Sequence, residues 1–241
     1  MKKSFLCIVV IYCVGLSSAS SQSPFALFAK LNYNFSRMGD LNKFQDDLRL
    51  QLVNQGIPAS STDAYPPYYG AQFGVLVPVS TTDERDIFIG GLFDYTSTGG
   101  RVVYADYSGE ARNDQTASAH SFGAMLDTRI KRFNPIHLDL SFTVRLITSS
   151  LRNETYVRIG NNVQSVTLDF SSTSFGFEPG IAPNIPLYGF TVGTSVSYLF
   201  AFKSSLESNQ YKGGHLIFNN GTEVSIDWSG LKLGIMIGYA L

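Results

Sequence analysis

Eight segments of alternating apolar residues are joined by connections that are long and short in strict turn. The segments lie near Ala26–Phe35, Tyr69–Val79, Ile87–Ser97, Phe122–Ile130, Ile136–Ile147, Val166–Pro179, Tyr188–Phe202 and Ser225–Leu241. The short connections are Ser80–Asp86, Lys131–Pro135 and Ala182–Leu187, whereas the others run to roughly fifteen to thirty residues, beyond ordinary hairpin loops. Membrane-spanning barrels sort their connections in this way, with short turns on the periplasmic side and long loops outside. The pattern therefore predicts an all-β fold, an eight-stranded antiparallel up-and-down transmembrane β-barrel.

The amino terminus has the features of a secretory signal. Two lysines follow Met1, Phe5–Leu16 is apolar, and Ser17–Ser20 supplies small residues for cleavage. The apolar stretch is too short to cross a bilayer, which takes about twenty residues. We therefore expect residues 1–21 to be a cleaved signal peptide and residues 22–241 to form one barrel domain. Both cysteines fall inside the signal, so the mature chain is expected to lack thiol chemistry.

The seventh segment indicates most clearly which face meets lipid. One face alternates aromatic and aliphatic residues, and it comprises Tyr188, Phe190, Val192, Thr194, Val196, Tyr198, Phe200 and Phe202. The distance from Phe190 to Tyr198 is roughly 20 Å along the bilayer normal at a barrel's strand tilt. That distance fits an apolar band about 25 Å tall with aromatic girdles. We predict that this face points outward into lipid and that the glycine and hydroxyl residues between face inward.

Charged residues fall on the inward face in strand after strand. The residues expected to form an interior polar network are Lys30, Asp94, Arg129, Asp139, Arg145, Glu178 and Lys232. A charge on the lipid face would cost a few kcal/mol near the midplane, and a buried charge needs a partner. We expect Arg145 to pair with Glu178 or Asp139. Barrel closure should bring Lys30 and Lys232 toward one another, with shared acids offsetting their repulsion.

The long connections carry local structure of their own. Asp40 can cap a helix that ends before Gly56. The residues sharing one face of that helix are Leu41, Phe44, Leu48 and Leu52. Residues 156–166 and 216–224 each have the pattern of a β-hairpin. Arg101–Tyr107 and a partner in the same long connection are the segments that could supply extra spanning strands.

Charge and volume limit the classes of function. Removal of Lys2 and Lys3 with the signal takes the formal net charge from −1 to −3, and this near-neutral chain lacks the basic stripe that nucleic acid requires. An eight-stranded barrel has an interior that side chains just fill. We expect the long inward side chains to fill the lumen, so that the barrel conducts poorly.

Three segments carry a resemblance to a known class of protein. They are Gly70–Ser80, Tyr95–Tyr104 and the terminal segment Leu231–Leu241. In these segments the chain resembles bacterial outer-membrane β-barrel domains of the small eight-stranded OmpA/OmpX-like superfamily, nearest to the porin-like barrels of Bacteroidetes and Chlorobi. The resemblance implies a Gram-negative outer-membrane location. It also implies contact with outer-membrane lipid and lipopolysaccharide, and passage through the barrel-assembly machinery. Many such barrels end in Phe or Trp, whereas this chain ends in Leu241.

The histidines offer little for catalysis. His120 and Ser121 are adjacent, so in a strand they point to opposite faces and cannot act directly as base and nucleophile. The deacylases that such a pair would resemble carry His-x-Ser instead. His215 lies in the last long connection, and His137 shares the inward face with Asp139. With three histidines and no cysteine in the mature chain, no metal-ligand spacing is present. We predict no catalytic, cofactor or metal site.

Three hypotheses about function follow. The leading hypothesis is a non-enzymatic, monomeric outer-membrane barrel whose outer loops have a structural, adhesive or small-solute role. The second is a lipid-modifying barrel enzyme, which would need His, Ser and an acid together at the outer rim. The third is a secreted lipocalin-like barrel, which would need the aromatic face to point inward toward a ligand.

Overall fold

The structure is a computed structural model that describes residues 25–107, 109–133 and 135–240. The predicted signal peptide, residues 1–21, lies outside this range, as does Leu241. The elements in chain order are β1 (Ala26–Ser36), α1 (Gly39–Asn54), β2 (Ser60–Ala64), β3 (Tyr68–Thr81), β4 (Arg85–Ala105), β5 (Gly109–Phe133), β6 (Ile136–Ile159), β7 (Asn162–Leu187), β8 (Phe190–Ala201), β9 (Ser204–Ser205), β10 (Glu207–Ser208), β11 (Ser225–Ile226) and β12 (Gly230–Ala240).

The long strands form a closed antiparallel ring. Strands β1, β3, β4, β5, β6, β7, β8 and β12 pair in that order, and β12 pairs back with β1 from Ala26↔Ala240 to Ser36↔Gly230. The remaining strands are short additions: β2 lies beside β4, β10 beside β7, and β9 pairs with β11. The all-β prediction is confirmed. Closure satisfies the backbone groups that an open sheet edge would leave unpaired.

The ring is much taller on one side than on the other. Strands β4 to β7 contain 21 to 26 residues each, whereas β1, β3, β8 and β12 contain 11 to 14. The four long strands are neighbours, so their ends stand together beyond the barrel mouth. We call this projecting part of β4 to β7 the wall. By the strand rise and tilt, it extends roughly 30 Å beyond the short strands.

The strands of the wall extend beyond the strand ends that were predicted from the sequence. The chain between Ser97 and Phe122 is not a long loop, because β4 continues to Ala105 and β5 begins at Gly109. Arg101–Tyr107 is therefore not an extra spanning strand; most of it is the upper end of β4. The hairpin predicted within residues 156–166 is confirmed, with its turn at Gly160, whose φ is +58°.

Two short-turn details also differ from prediction. Ala182–Leu187 belongs to β7, and the turn lies at Tyr188 and Gly189, both with positive φ. Tyr188 therefore lies in a turn and not on the lipid face. The last predicted segment is interrupted, because Ser225–Ile226 pairs with β9 and β12 starts only at Gly230.

Helix α1 lies across the long-loop end of the ring. It begins after Met38, which has no side-chain cap, so the prediction of an Asp40 cap is wrong: Asp40 lies in the first turn, and its carboxylate accepts a hydrogen bond from the Ser225 hydroxyl. The predicted apolar face is confirmed, with Leu41 and Phe44 buried. The helix ends at Asn54, before Gly56 as predicted. No described helix is long and apolar enough to cross a membrane.

Candidate functional site

The outer surface of the ring is apolar between the short turns and the wall. Of the outward residues predicted on β8, Phe190, Val192, Val196 and Phe200 have 39 to 45% of their surface exposed. On β6, Leu140, Phe142 and Val144 are exposed on one face, while Asp139, Thr143 and Arg145 are buried on the other. The predicted orientation of these faces is confirmed. The lipocalin-like hypothesis needed the opposite orientation and is wrong.

Four charged side chains meet inside the ring. Arg145 donates from Nη1 to Asp94 Oδ2 at 2.8 Å, and its Nη2 lies 2.8 Å from Glu178 Oε2. The Nζ atom of Lys232 lies 3.0 Å from Asp94 Oδ2 and 3.2 Å from Glu178 Oε2. We call these four residues the charge cluster. Its formal charges cancel, and each cation contacts both acids, as a buried set of charges requires.

Neutral side chains add hydrogen bonds to the charge cluster. Ser197 Oγ donates to Glu178 Oε1 at 2.8 Å, and Arg145 Nη1 donates to Ser121 Oγ at 3.2 Å. A Cβ atom at Gly123 would lie 3.2 Å from Arg145 Cγ, so glycine gives the long arginine side chain room to cross the lumen. Ser121 and Ser197 were not predicted as network members; their inward position in the strand alternation was the available signal.

The other predicted network residues lie nearer the short turns. Arg129 donates from Nε and Nη2 to the two oxygens of Asp139 at 2.9 and 3.0 Å. Asp139 is therefore the partner of Arg129 and not of Arg145. Lys30 faces the same interior, but among the described residues no carboxylate oxygen lies within 4.0 Å of its ammonium group. The predicted residues thus form two separate ion-paired groups, with Lys30 outside both.

Apolar layers lie above and below the charge cluster. The lower layer, toward the short turns, consists of Phe28, Leu76, Phe88, Leu92 and Met125. The upper layer includes helix α1 and the last long connection: its members include Met38, Leu41, Phe44, Leu206, Leu216, Val224, Ile226 and Trp228. We call this upper layer the lid. The lumen is therefore filled at three successive levels, in agreement with the filled interior expected for a narrow barrel.

Trp228 joins the lid to the ring. Its indole Nε1 donates to Ser149 Oγ at 2.8 Å, and its ring meets Tyr68 edge-on at 5.8 Å. Phe44 of α1 contacts Phe218 of the last connection at 6.4 Å between ring centroids. Trp228 is the one tryptophan of the chain, and its predicted place was an ordinary strand position. Its role as an anchor was missed because it depends on the interruption between β11 and β12.

The histidines are separated from possible catalytic partners. His120 is exposed on the outer face, with Phe93 and Tyr95 rings at 5.9 and 4.9 Å. Ser121 is buried inside and bound to Arg145, so the two side chains lie on opposite faces. His215 Nδ1 lies 3.9 Å from a Glu223 carboxylate oxygen in the last long connection. Within the described ranges, no group of three or more His, Cys, Asp or Glu side chains is arranged to hold a metal ion.

Comparison with known proteins gives only distant structural likenesses. No family model matches the chain, and no curated protein matches it either. The outer membrane protease OmpT from Escherichia coli is similar over 93% of this chain and 100% of its own, with 9% identity and a TM-score of 0.40. The transport unit of the autotransporter AIDA-I from Escherichia coli covers 94% of this chain and 92% of its own, with 7% identity and a TM-score of 0.31. The outer membrane channel DcaP of Acinetobacter baumannii covers 91% and 96%, with 8% identity and a TM-score of 0.19.

The location of the protein follows from its own construction. The ring is closed and antiparallel, its outer surface is apolar between the two ends, and its charges are buried inside. Closed barrels of this kind satisfy every backbone group within the hydrocarbon region, and they are the β-structures that span membranes. The protein is a β-barrel of the Gram-negative outer membrane.

Proposed function

We propose that the protein is a small, monomeric eight-stranded barrel of the OmpA/OmpX type that acts through its outer surface and not as a pore or an enzyme. The observation that carries this proposal is the filled lumen. The lid, the charge cluster and the lower apolar layer lie one below another along the barrel axis. A solute would have to displace all three, and an ion pair as buried as Arg145 with Glu178 is costly to separate.

The wall supplies the surface for an adhesive or binding role. Ile159 and Val166 are 68% and 57% exposed, and strand alternation puts them on the face of the wall that overlooks the lid. Exposed apolar residues on a projecting surface are candidates for contact with a partner. The β7 segment that carries Val166 has no strand partner on its free side before Phe170.

The membrane-embedded part has the partners that any such barrel needs. Outer-membrane lipid and lipopolysaccharide would contact the apolar belt, and the barrel-assembly machinery would insert the chain. The absence of a basic surface stripe supports the proposal that nucleic acid is not a partner.

A planar-bilayer recording tests the filled lumen. The purified wild type should show no large, steady open state. A variant in which α1 is replaced by a short glycine–serine linker removes much of the lid but keeps the charge cluster, and it should also stay closed. A reproducible conductance of porin size from the wild type would contradict the proposal.

Cell-surface adhesion tests the role of the wall. Cells displaying the protein should aggregate or adhere to a surface more than cells without it, and Ile159→Ser with Val166→Ser should reduce that gain. The matched control is Ile217→Ser, which changes an exposed apolar residue of the last long connection, 54% exposed, instead of one on the wall strands. Equal adhesion by the wall variant and the wild type would remove the adhesive part of the proposal.

A further inference from the structure

A cavity opens into the ring at the end that carries the short turns. Lys30, Asp127, Arg129 and Asp139 line its polar side, together with the hydroxyls of Ser141 and Thr191. The cavity lies beside the lower apolar layer and does not include the charge cluster. Its rim reaches Leu27 and Tyr239, which belong to the lipid-facing surface. Charged side chains therefore line the inner side of the cavity, and lipid-facing residues line its rim.

Two of the four charges in this cavity are already neutralised. Arg129 and Asp139 form the two-bonded pair described above, which satisfies both groups. Asp127 and Lys30 have no such contact. Asp127 is 5% exposed, and no described residue donates a hydrogen bond to its buried Oδ1.

Lys30 and Asp127 have opposite charges and line the same cavity, and Lys30 is also attracted by Glu178 of the charge cluster, which lies outside the cavity lining. Lys30 and Asp127 do not touch, because the Lys30 ammonium lies more than 4.0 Å from every described carboxylate oxygen. Buried charges are stable only when they are paired and hydrogen-bonded. A ligand that carries one charge of each sign would satisfy both residues at once.

We propose that this cavity binds a small zwitterionic group, with an ammonium on Asp127 and a phosphate or carboxylate on Lys30. A lone anion would leave Asp127 unpaired, and a lone cation would do the same to Lys30. The four lining charges sum to zero, so the cavity has no net preference for either ion.

The same chemistry can come from two sources. A phosphoethanolamine lipid headgroup could enter over the rim, where Leu27 and Tyr239 already face lipid, and its acyl chains would stay outside. A free zwitterion could enter from the aqueous side. Binding of a lipid headgroup depends on the membrane location and on the proposed orientation of the barrel. Binding of a free zwitterion depends only on the cavity.

Binding to the full-length mature protein in detergent tests the site. The probes are free phosphoethanolamine and glycerol phosphate, which lacks the ammonium, measured by isothermal titration. In nanodiscs, native mass spectrometry would compare retained phosphatidylethanolamine with retained phosphatidylglycerol. Each zwitterionic probe should bind at least about tenfold more tightly than its partner without the ammonium, because the latter leaves a buried carboxylate unpaired.

Three variants should remove this preference, and one should not. Asp127→Asn and Lys30→Met each delete one charge. Gly238→Leu adds a side chain at a residue that lines the cavity but deletes no charge, and a Cβ at Gly238 meets its nearest neighbour, Leu27 O, at an ordinary 3.5 Å. Each should weaken binding about tenfold or more. The control is Asp86→Asn, a buried acid at the same end that pairs with Lys131 at 2.7 Å outside the cavity.

Each outcome decides between these possibilities. Preference for phosphatidylethanolamine alone identifies the lipid headgroup, and binding of free phosphoethanolamine identifies a soluble zwitterion. Equal retention of both lipids with no binding of free phosphoethanolamine would overturn the proposal, as would full binding by the Gly238→Leu variant. None of these results depends on conductance, so failure here is distinct from failure of the proposed function.

Discussion

Arg145 and Lys232 share the same two carboxylates, so removal of one carboxylate affects both cations. We expect Glu178→Ala to lower the free energy of unfolding by about 3–5 kcal/mol, because the charge cluster is left with a net positive charge in a buried place. Urea unfolding of the protein in lipid vesicles measures this change. The matched control is Glu84→Ala, since Glu84 and Arg132 form a pair with both side chains well exposed; its change should stay below about 1 kcal/mol.

An unchanged unfolding midpoint in the Glu178→Ala variant would mean that water replaces the carboxylate. In that case the charge cluster would be weakly coupled, and the closed lumen would depend on the two apolar layers alone.

Tyr65 is buried in the same apolar cluster as the lid residues and makes the stability of the lid depend on alkaline pH. Burial raises the pKa of its phenol above the usual value of about 10, and its hydroxyl donates to Gln115 Oε1. The unfolded chain ionises first, so the contribution of Tyr65 to stability is complete below pH 10 and falls as the pH rises above it. Tyr65→Phe should cost about 1 kcal/mol at neutral pH, and this deficit should shrink above pH 10.

Unfolding curves between pH 8 and pH 11.5 provide the test for Tyr65, with Tyr107→Phe as the exposed control. A deficit that stays constant across the range would show that Tyr65 is not buried in the folded lid.

At the residue scale, the strand alternation predicted which charges face inward but not which of them pair. Arg145 was expected beside Glu178 or Asp139, and it contacts Glu178 and Asp94 instead of Asp139. Which charged side chains pair depends on the register between neighbouring strands around the ring. The alternation pattern of a single strand does not contain that register. Trp228 was missed for a different reason, because its contacts depend on the interruption between β11 and β12.

Helix α1 is held to the barrel by one face. Leu41 is fully buried in the lid, whereas Leu50 is exposed on the other side of the helix. We expect Leu41→Ala to speed hydrogen exchange of the α1 amides at least tenfold, since a buried leucine contributes about 2–5 kcal/mol. The barrel strands should keep their protection because the lid can open locally.

Leu50→Ala is the control for that measurement and should leave α1 exchange unchanged. Equal protection of α1 in Leu41→Ala and in the wild type would show that the helix is held by its polar contacts, such as Gln45 with the Arg101 carbonyl oxygen.

At the element scale, strand cores were predictable and strand ends were not. Between Ser97 and Phe122 the outer face is no longer continuously apolar, because it leaves the lipid and meets water. The backbone nevertheless continues as strand, supported by polar cross-strand pairs such as Arg101 with Asp114, and Arg158 with Glu110 at 3.7 Å. Hydrophobic alternation therefore identifies only the part of each strand that lies in the membrane. It does not predict the strand residues that form the wall.

The whole molecule should have the wall outside the cell and the short turns in the periplasm. Tyr107 beyond the end of β4 and Tyr188 in a short turn are both fully exposed, at 103% and 102%, and the mature chain has no cysteine of its own. A membrane-impermeant thiol reagent should label Tyr107→Cys on intact cells and Tyr188→Cys only after the outer membrane is permeabilised. Labelling of Tyr188→Cys alone on intact cells would reverse the orientation.

The same topology predicts where a protease added to intact cells should cut. Lys212 lies in an exposed part of the last connection, and cleavage is expected there. Asn153 is buried within β6 and accepts a hydrogen bond from Asn113, so no cleavage is expected at Asn153.

The height difference between the two sides of the ring has a mechanical consequence. Strands β4 to β7 run from the short turns to the top of the wall without a flexible joint, and their backbone ladders are nearly continuous. A sideways pull at the hairpin tip is therefore carried directly into the embedded strands. The wall acts as a stiff lever on one side of the barrel, and such a pull would tilt the whole protein in the bilayer before it bends the wall.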